Sequence, residues 1–470
     1  MERITAADIA QLNAVGIKPR WYLLGAVLLI LGIPFHQPLL VVVGLLCLLV
    51  VGITDLWARY CLYDVEYKRQ VSEQRVLFGE KITLTISVEN AKLLPLPWLE
   101  CDDTISPALK LPGQTLHRDI ASGQLLLECL FSPGWYDRIT RRYTIECRER
   151  GVHVLGPTRL HSGDIFGFVK REMTILNRQY ILVYPLIAPI TSFGLPARHP
   201  FGDRRAPRRL LEDPSRIVGV RDYVYGDSLR RVHWKATARA MTMQSKVYEA
   251  TTTYTLNIFL NMTARLDNHY GIHPELQELA ISATASVTSW AVDEGYAVGL
   301  YSNSIMYIPD EDSAKGKTET SQTLETNERQ SEAQDVQAML QRRRVHIPAA
   351  SHVEQKTRIL EALARLQSYF GSNIEDIIQH ERTHLAAGST IILITNSIGE
   401  TTIEPLHRLR QSGHPVTILF VGDTLSPVRL SGITVYHIGG EEVWKAMSAK
   451  QNDKRDELES THIVPAGFTL

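Results

Sequence analysis

The sequence contains few cysteines, and no two of them have the spacing of a metal-binding or redox pair. The chain of 470 residues has five, which are Cys47, Cys61, Cys101, Cys129 and Cys147. An odd count without a CxxC motif argues against a structural zinc site and against a disulfide framework. A disulfide between Cys129 and Cys147 stays open as an alternative, and free thiols in a reducing compartment are the simpler interpretation.

Charge of one sign is not in excess either. Lysine and arginine total 50 against 51 aspartates and glutamates, for a net charge of −1, so no global field favours nucleic acid as a partner. The stretch 195–221 is rich in Pro and Arg, but Phe201 is its only Phe, Tyr or Trp, and nucleic-acid binding is therefore not expected. Contact with anionic lipid is one interpretation of this stretch, and a solvated or acid-paired loop is the simpler one.

Charged residues are missing altogether between Trp21 and Thr54. As one helix, the apolar segment Trp21–Trp57 would be about 55 Å long, which exceeds the ~30 Å hydrocarbon core of a bilayer. Two prolines, at 34 and 38, interrupt the segment in the middle and favour a turn. Residues 1–57 therefore predict an N-terminal tail and a transmembrane helical hairpin, with helices at about 21–35 and 38–56.

Basic residues flank both ends of this apolar segment. Lys18 and Arg20 precede it, and Arg59, Lys68 and Arg69 follow it. By the positive-inside rule, both ends lie in the cytoplasm. We therefore expect a two-span protein of the cytoplasmic (inner) membrane, with the lipid bilayer as a partner and both termini on the cytoplasmic side.

Short alternating runs follow the membrane segment. Between residues 58 and 190, apolar and polar side chains alternate, and turns such as Pro133-Gly134 separate the runs. A period of two with this punctuation predicts an antiparallel β-sandwich. An irregular linker would not keep so regular an alternation.

The pattern changes after residue 250. Between 251 and 449, β-branched runs alternate with helical patterns, which predicts an α/β domain with a parallel sheet. We interpret about 310–345 as a disordered insertion in this domain and 450–470 as a polar tail. The expected strands are 255–260, 297–301, 390–395, 416–421 and 434–438.

The segment 191–250 carries many ionic and aromatic side chains, which are costly to bury without partners. A Gly-Asp turn precedes a helix that is expected from Ser228 to about Arg239, with Asp227 as its cap. On this helix, His233 would lie six positions from Asp227, about 240° around the axis. A catalytic His–Asp pair within the helix is therefore not expected.

Side chains four residues apart on this helix are expected to meet. Asp227 would form an ion pair with Arg231, and the guanidinium of Arg230 would lie over the indole of Trp234. Two interpretations follow. The helix clamps the sandwich onto the α/β domain, or it forms a docking surface for a partner.

Several residues of this segment resemble the signature of a known family. Together with Gly156-Pro157, Ser162–Gly167 and Tyr184-Pro185, they resemble the sequence motifs of the domain of unknown function 58 family. Ile165 departs from these motifs, because the family usually has Pro at this position. The resemblance covers about residues 20–445. The signature residues are Arg221, Tyr223, Gly226, Asp227, Arg230, Arg231, His233, Trp234, Lys235 and Arg239.

The resemblance implies a multi-domain protein. Its parts would be an N-terminal transmembrane hairpin, an antiparallel β-sandwich, the signature segment and an α/β von Willebrand factor A-like (Rossmann-like) domain. It also implies a bacterial or archaeal membrane protein that works with a MoxR-type AAA+ ATPase and a transglutaminase-like membrane protein. It implies no cofactor.

Von Willebrand A domains often bind Mg²⁺ through Asp-x-Ser-x-Ser after the first strand and through an Asp after a later strand. In this chain Asn261, Thr263 and Arg265 stand at the first site, and Asn396 stands at the second. Two carboxylates are lost and a cation is gained, so this adhesion site is degenerate. We expect no tightly bound Mg²⁺.

Three functions are weighed. The leading one is a non-enzymatic, membrane-anchored interaction or adaptor protein that works with the MoxR-type ATPase in envelope maintenance or complex assembly. A metal-dependent adhesion module is the alternative, and Asn261 and Asn396 count against it. A hydrolase that uses His233 is the second alternative, and no Ser or Cys nucleophile motif supports it.

Overall fold

The chain divides into two compact units in the computed structural model. Met1–Tyr184 and Gln451–Leu470 form the first unit, and Pro185–Lys450 forms the second. The N-terminal tail, the arginines at 204–209 and nearly all of the predicted insertion lie outside the described residues. The structure describes residues 20–35, 37–118, 123–165, 167–196, 201, 212–250, 254–263, 265–266, 269–270, 273–309, 344–367, 373–423 and 430–461.

Two apolar helices, α1 (Arg20–Gly32) and α2 (Pro38–Tyr60), begin the described chain. Residues 33–35 form a turn and not the last part of the predicted first helix. α1 is about 20 Å long and α2 about 35 Å. Within the described chain, one helical segment, Pro38–Trp57, is both long enough and apolar enough to cross a membrane. The apolar segment Trp21–Gly32 is shorter.

Glycines lie where α1 and α2 contact each other. A Cβ atom on Gly25 would come within 2.7 Å of the Leu48 side chain, and one on Gly44 would lie 3.1 Å from the Cβ of Leu28. Small residues let apolar helices approach closely when a surrounding lipid would give no hydrophobic drive for association. A larger residue at Gly25 would have to displace the Leu48 side chain or the helix that carries it.

The described part of the first unit contains two β-sheets. Their strands are β1 (Val65–Val71), β2 (Arg75–Val76), β3 (Glu80–Asn90), β4 (Leu99–Ile105), β5 (Leu109–Lys110), β6 (His117–Arg118), β7 (Leu125–Phe131), β8 (Arg138–Cys147), β9 (Gly151–Gly163), β10 (Lys170–Ile175) and β11 (Gln179–Val183). The first sheet has the order β1-β3-β8-β5. The second has the order β2-β11-β9-β4-β7-β6, with β10 also paired to β9. The pairs are antiparallel, apart from the parallel pair β2 and β11.

Both sheets turn their apolar faces onto one shared core. Along β3, every second side chain is fully buried, as Leu84, Ile86 and Val88 show. Leu127 on β7 of the other sheet belongs to the same cluster. The alternating pattern of the sequence thus corresponds to strands with one buried and one more exposed face.

The cysteines of the first unit are free thiols. Cys129 lies opposite Cys101 on the neighbouring strands β7 and β4, whereas Cys147 lies on β8 in the other sheet. The alternative of a Cys129–Cys147 disulfide is therefore not realised. Burial raises the pKa of Cys129 and of Cys101, which keeps both protonated and unreactive.

The second unit is built around an open, mostly parallel sheet. Its elements are β12 (Glu212–Asp222), α3 (Trp234–Ala240), β13 (Gln244–Ala250), β14 (Thr255–Leu260), β15 (Arg265–Leu266), β16 (His269–Tyr270), α4 (Pro274–Asp293), β17 (Ala297–Met306), β18 (Arg344–Ala350), α5 (Glu354–Ala364), β19 (Leu366–Gln367), α6 (Ile374–Glu381), β20 (Thr390–Thr395), α7 (Glu400–Gln411), β21 (Val416–Val421), β22 (Thr434–Gly439) and the part of α8 (Glu441–Thr461) that ends at Lys450. The sheet has the order β18-β17-β14-β20-β21-β22, with β19 also paired to β17. Helix α8 runs into the stretch 450–470, which the sequence indicated only as a polar tail.

The strand order places a cleft in the middle of this sheet. From β14 the chain first continues to β17 and β18 on one side, and later to β20, β21 and β22 on the other. β14, β17, β20, β21 and β22 run parallel, whereas β18 and β19 run antiparallel to β17. In open α/β sheets, ligands bind at the carboxyl ends of the strands where the order reverses. Here that position lies between β14 and β20.

Candidate functional site

The signature segment, residues 219–247, is a hairpin of β12 and β13 with α3 in its loop. Gln244 joins its parts. The side-chain Nε2 of Gln244 donates to the carboxylate of Asp222 at 2.5 Å, and its backbone N–H donates to Thr237 Oγ1 at 3.0 Å. Its carbonyl accepts from the backbone N–H of His233 at 2.8 Å. The side chain and backbone of one buried residue thus connect both strands and the helix.

Asp227 closes a turn and does not cap a helix. Its carboxylate accepts a hydrogen bond from Arg221 Nη2 at 2.8 Å and one from the backbone N–H of Val224 at 3.2 Å. The Tyr223 hydroxyl donates to the carbonyl of Asp227 at 2.9 Å. The hydrogen bond from Arg221 lowers the pKa of Asp227. The ion pair predicted with Arg231 is therefore formed with Arg221.

The continuous helix predicted from Ser228 to Arg239 is wrong. Leu229–Arg231 form a 3-10 turn, and α3 begins only at Trp234. Between them, Val232 has an extended backbone and forms a bridge to Ser245 on β13. Val232 is 2% exposed, so pairing with the hairpin buries its side chain and ends the first helical turn.

His233 caps α3. Its Nδ1 accepts a hydrogen bond from the backbone N–H of Ala236 at 3.1 Å. Because Nδ1 is an acceptor, the neutral imidazole carries its proton on Nε2 and presents a donor there. A general base needs an acceptor nitrogen directed at its substrate. The arrangement gives His233 a structural role.

Arg230 does not stack on Trp234. No cation–π contact joins them among the side chains that the structure describes. Arg230 lies in the 3-10 turn and Trp234 at the first position of α3, so they are not neighbours on one helix face. Both side chains are exposed.

The signature segment exposes large apolar side chains. Tyr225 is 102% exposed, Trp234 68% and Met241 89%. A short segment rarely exposes so much apolar surface unless a partner or a membrane covers it. The other exposed apolar side chains of the segment are Val220, Val224, Leu229, Met243 and Val247.

A groove of about 430 Å³ lies between α3 and β12. Val220, Ala236 and Ala240 give it an apolar lining, and Lys235 and Arg239 add positive charge. Neither of these two cations forms an ion pair with a side chain that the structure describes. The groove therefore combines an apolar surface with two cations that have no ion pair among the described side chains.

The first position of the degenerate adhesion site lies at the carboxyl end of β14, in the cleft. Asn261 Nδ2 donates to Thr395 Oγ1 at 3.0 Å, and Asn261 Oδ1 accepts from the backbone N–H of Thr263 at 3.1 Å and from Asn303 Nδ2 at 2.9 Å. Asn303 also donates to Thr263 Oγ1 at 2.8 Å. Both ends of the Asn261 amide are thus used inside the protein, which does not favour its service as a metal ligand.

Asn396 does not join this network. Asn396 follows β20, and its buried Oδ1 accepts no hydrogen bond from the described residues. Arg265 begins β15, but its side chain lies outside those described. The cleft has a volume of about 510 Å³ and is lined in part by Glu375, which accepts from Thr402 Oγ1 at 2.5 Å. Within the described chain, no three His, Cys, Asp or Glu residues form a metal site.

The sequence patterns did not indicate two residues whose hydrogen bonds connect the parts of these sites, Gln244 and Asn303. Gln244 lies beyond the expected helix, and no pattern marks it as the residue that joins helix and strands. Asn303 lies between Ser302 and Ser304 in the buried strand β17. Three consecutive polar residues in a buried strand are a signal that could have indicated a hydrogen-bond network.

Part of the chain is weakly similar to two solved structures of small domains. The CARDB domain of the PF1109 protein from Pyrococcus furiosus has a TM-score of 0.17 and 13% identity, over 25% of this chain and 84% of that one. A cohesin module from a family 33 glycoside hydrolase of Clostridium perfringens ATCC13124 has a TM-score of 0.20 and 14% identity, over 25% and 96%. Scores this low carry no argument about fold or function.

Sequence comparison is more informative. A curated relative, the uncharacterized protein YeaD of Bacillus subtilis (strain 168), is 23% identical over 249 residues, which are 53% of this chain and 58% of the relative. The match thus spans less than two thirds of that relative. Residues 219–353 match the model of the family described as Protein of unknown function DUF58. These two findings support the domain of unknown function 58 family for this chain, as the signature residues predicted.

Proposed function

We propose that the chain is a non-enzymatic, membrane-anchored adaptor that binds a partner protein through its signature segment. The observation that carries the proposal is the exposure of Tyr225, Trp234 and Met241 on a segment whose backbone is held by internal hydrogen bonds. Trp, Tyr and Arg are enriched at the hot spots of protein interfaces. A fixed frame also reduces the entropy lost when a partner binds.

The chemistry of the two candidate sites supports binding over catalysis. The His233 Nδ1 atom is occupied by the Ala236 amide, which counts against a hydrolase that uses this imidazole as base. The amide of Asn261 is occupied on both sides, which counts against metal-dependent adhesion. The adaptor function needs neither group to be free.

We also propose an identity for each part of the adaptor. α1 and α2 would cross the cytoplasmic membrane as a hairpin, with both termini in the cytoplasm. The first unit would be a β-sandwich and the second a von Willebrand A-like domain. The glycine contacts between α1 and α2 and the strand order of the second unit support this arrangement.

The partner that we propose comes from the family resemblance. It is a MoxR-type AAA+ ATPase, with a transglutaminase-like membrane protein in the same assembly, acting in envelope maintenance or complex assembly. An adaptor with a membrane anchor would hold such an ATPase at the cytoplasmic face of the membrane.

Affinity purification of the tagged full chain from detergent-solubilised native membranes tests the adaptor function. Wild type is expected to recover the ATPase, and Trp234→Ala to weaken its binding about thirtyfold or more, because truncation of a hot spot costs about 2 kcal/mol or more. Trp135→Ala is the matched control, since Trp135 is 69% exposed against 68% for Trp234. The proposal fails if wild type recovers no ATPase or envelope protein, or if both variants reduce recovery equally.

Protease treatment of spheroplasts tests the orientation. A protease added outside is expected to leave the C-terminal part of the chain intact, because both ends of the hairpin would lie in the cytoplasm. Digestion after deliberate lysis is the control for accessibility. Loss of the C-terminal part in intact spheroplasts would overturn the two-span arrangement.

A further inference from the structure

We propose that the groove between α3 and β12 receives an apolar side chain from an acidic segment of the partner protein. This inference rests on the adaptor function and names the chemistry of its partner. It follows from the size of the groove, from the sign of its charge and from the shortness of α3.

The lining of the groove leaves room for an inserted side chain. Val220 lies on β12, and Ala236 and Ala240 lie on α3. Because alanines stand on the helix side, the volume of about 430 Å³ stays open. This volume lies within the ~300–1,000 Å³ range of pockets that bind small groups.

The lining of the groove contains two cations and no carboxylate. Lys235 and Arg239 line it without an ion partner among the described side chains. Of the two carboxylates nearby in sequence, Asp227 pairs with Arg221, and Asp222 accepts from Gln244 and keeps its charge. The groove therefore complements a segment that carries Asp or Glu beside its apolar residue.

A protein segment fits this site better than an anionic membrane surface. Interfacial helices that bind membranes lie along the surface on a long apolar face, and many have 20–30 residues. α3 has seven residues, and its alanines line a groove between two elements. A groove holds one projecting side chain, whereas a lipid surface presents none.

The test uses the full chain in detergent micelles and fluorescence anisotropy of a labelled peptide. The probe is a short Glu-rich peptide with one central Leu, and the matched probes carry Gln for Glu or Ser for Leu. The first probe is expected to bind, and each matched probe to bind about tenfold more weakly, because both the charge and the apolar anchor contribute. Binding of the first probe is also expected to weaken as salt is added.

Variants of the chain complete the test. The double change Lys235→Glu and Arg239→Glu is expected to weaken peptide binding at least about tenfold, as is Ala236→Leu, which fills the groove. Arg358→Glu is the control, because Arg358 is an exposed cation on α5 without an ion pair among the described side chains. Unchanged circular dichroism shows that each variant is folded, and Lys235→Gln with Arg239→Gln serves if the double reversal does not fold.

Three results would overturn the inference. They are equal binding of all probes, binding that neither groove variant weakens, and displacement of the peptide by phosphatidylglycerol vesicles but not by phosphatidylcholine vesicles. The last result would assign the surface to lipid. If the peptide fails to bind while Trp234→Ala still reduces ATPase recovery, only the inference fails and the adaptor function stands. If wild type recovers no partner, the adaptor function itself fails.

Discussion

At the scale of single residues, a buried ion pair joins the two sheets of the first unit. Arg69 on β1 pairs with Asp103 on β4, and their side chains are 3% and 0% exposed. Asp103 also accepts from the Tyr67 hydroxyl at 2.9 Å and from Thr158 Oγ1 at 2.8 Å. Buried charges are tolerated only when each is paired and hydrogen-bonded. This network meets that condition.

The same network explains a glycine that the family resemblance indicated. Arg69 Nη2 donates to the carbonyls of Leu155 and Asn177 at 2.9 and 2.8 Å. Gly156 follows Leu155 and has a φ of +92°. A Cβ atom on Gly156 would come within 2.5 Å of the Asn177 carbonyl oxygen and 2.8 Å of Arg69 Nη2. Any side chain at this position would displace the buried guanidinium or the backbone that binds it.

Asp103→Ala is expected to lower the free energy of unfolding of the first unit by about 3–5 kcal/mol, because Arg69 would stay buried without its counter-charge. Urea unfolding of the full chain in detergent, followed by circular dichroism, measures the change. Glu89→Ala is the control, since Glu89 pairs with the exposed Arg138 and such pairs contribute about 0–1 kcal/mol. Equal effects of the two substitutions would contradict the assignment.

Lys92 connects the end of α2 to the rest of the first unit. Its Nζ donates to the carbonyls of Cys61 and Tyr63 at 2.9 and 2.5 Å. Burial lowers the pKa of Lys92 to about 8. The unfolded value is about 10.4, so between these values the unfolded chain binds more protons and the free energy of unfolding rises with pH.

We expect the difference in unfolding free energy between wild type and Lys92→Met to grow by about 1 kcal/mol from pH 8 to about pH 10, after a discount for partial solvent screening. The difference isolates Lys92 from the other groups that titrate in this range. Urea titrations at each pH measure it. A difference that stays constant or falls as the pH rises would be inconsistent with a lowered pKa.

At the scale of elements, three strands of the second unit could be predicted with their bounds, and the signature helix could not. β14, β20 and β21 have the bounds that their β-branched runs indicated, because buried strands are specified by local composition. The helix failed at Val232, whose extended backbone depends on a bridge to Ser245 in β13. No local pattern encodes that contact. The same limit applies to Asn261. The sequence shows Asn where the adhesion site has Asp, but it does not show that Asn303 is the hydrogen-bond partner of Asn261.

Substitutions of His233, which caps α3, test the structural role of this residue. His233→Ala is expected to destabilise α3 by about 1 kcal/mol, because the Ala236 amide loses its acceptor. His233→Asn is expected to retain most of the stability, since Asn is a strong N-cap residue. Hydrogen exchange of the signature segment measures both effects. Equal exchange in the two variants would leave the cap without a role.

The hydrogen bonds of Asn261 predict the outcome of restoring a carboxylate at the end of β14. Asn261→Asp is expected to destabilise the second unit by about 1–3 kcal/mol, because the donor to Thr395 is lost and a charge is placed at a site that is 8% exposed. Calorimetry is expected to find no tight Mg²⁺ or Mn²⁺ binding to wild type. Micromolar affinity of wild type would show that the Asn261 amide is not committed to the network.

At the scale of the whole molecule, the two units have separate cores. Leu84 and Leu127 belong to the core of the first unit, whereas Phe259 and Ile418 belong to a core of the second. Domains with their own cores can unfold as separate cooperative units. Sequence patterns indicated the change from alternating strands to a helix–strand order, and they could not show that residues 185–190 belong to the second unit, because that depends on packing and not on composition.

Two unfolding transitions are therefore expected in calorimetry of the full chain. Ile418→Ala, at a fully buried position on β21, is expected to cost about 2–5 kcal/mol and to lower the transition of the second unit alone. Asp103→Ala is expected to lower the transition of the first unit alone, since substitutions without shared partners act independently. Hydrogen exchange at intermediate temperature assigns each transition to its residues. If either substitution lowered both transitions equally, the two units would unfold as one cooperative unit. An effect of partner binding on the stability of one unit would then also be expected in the other.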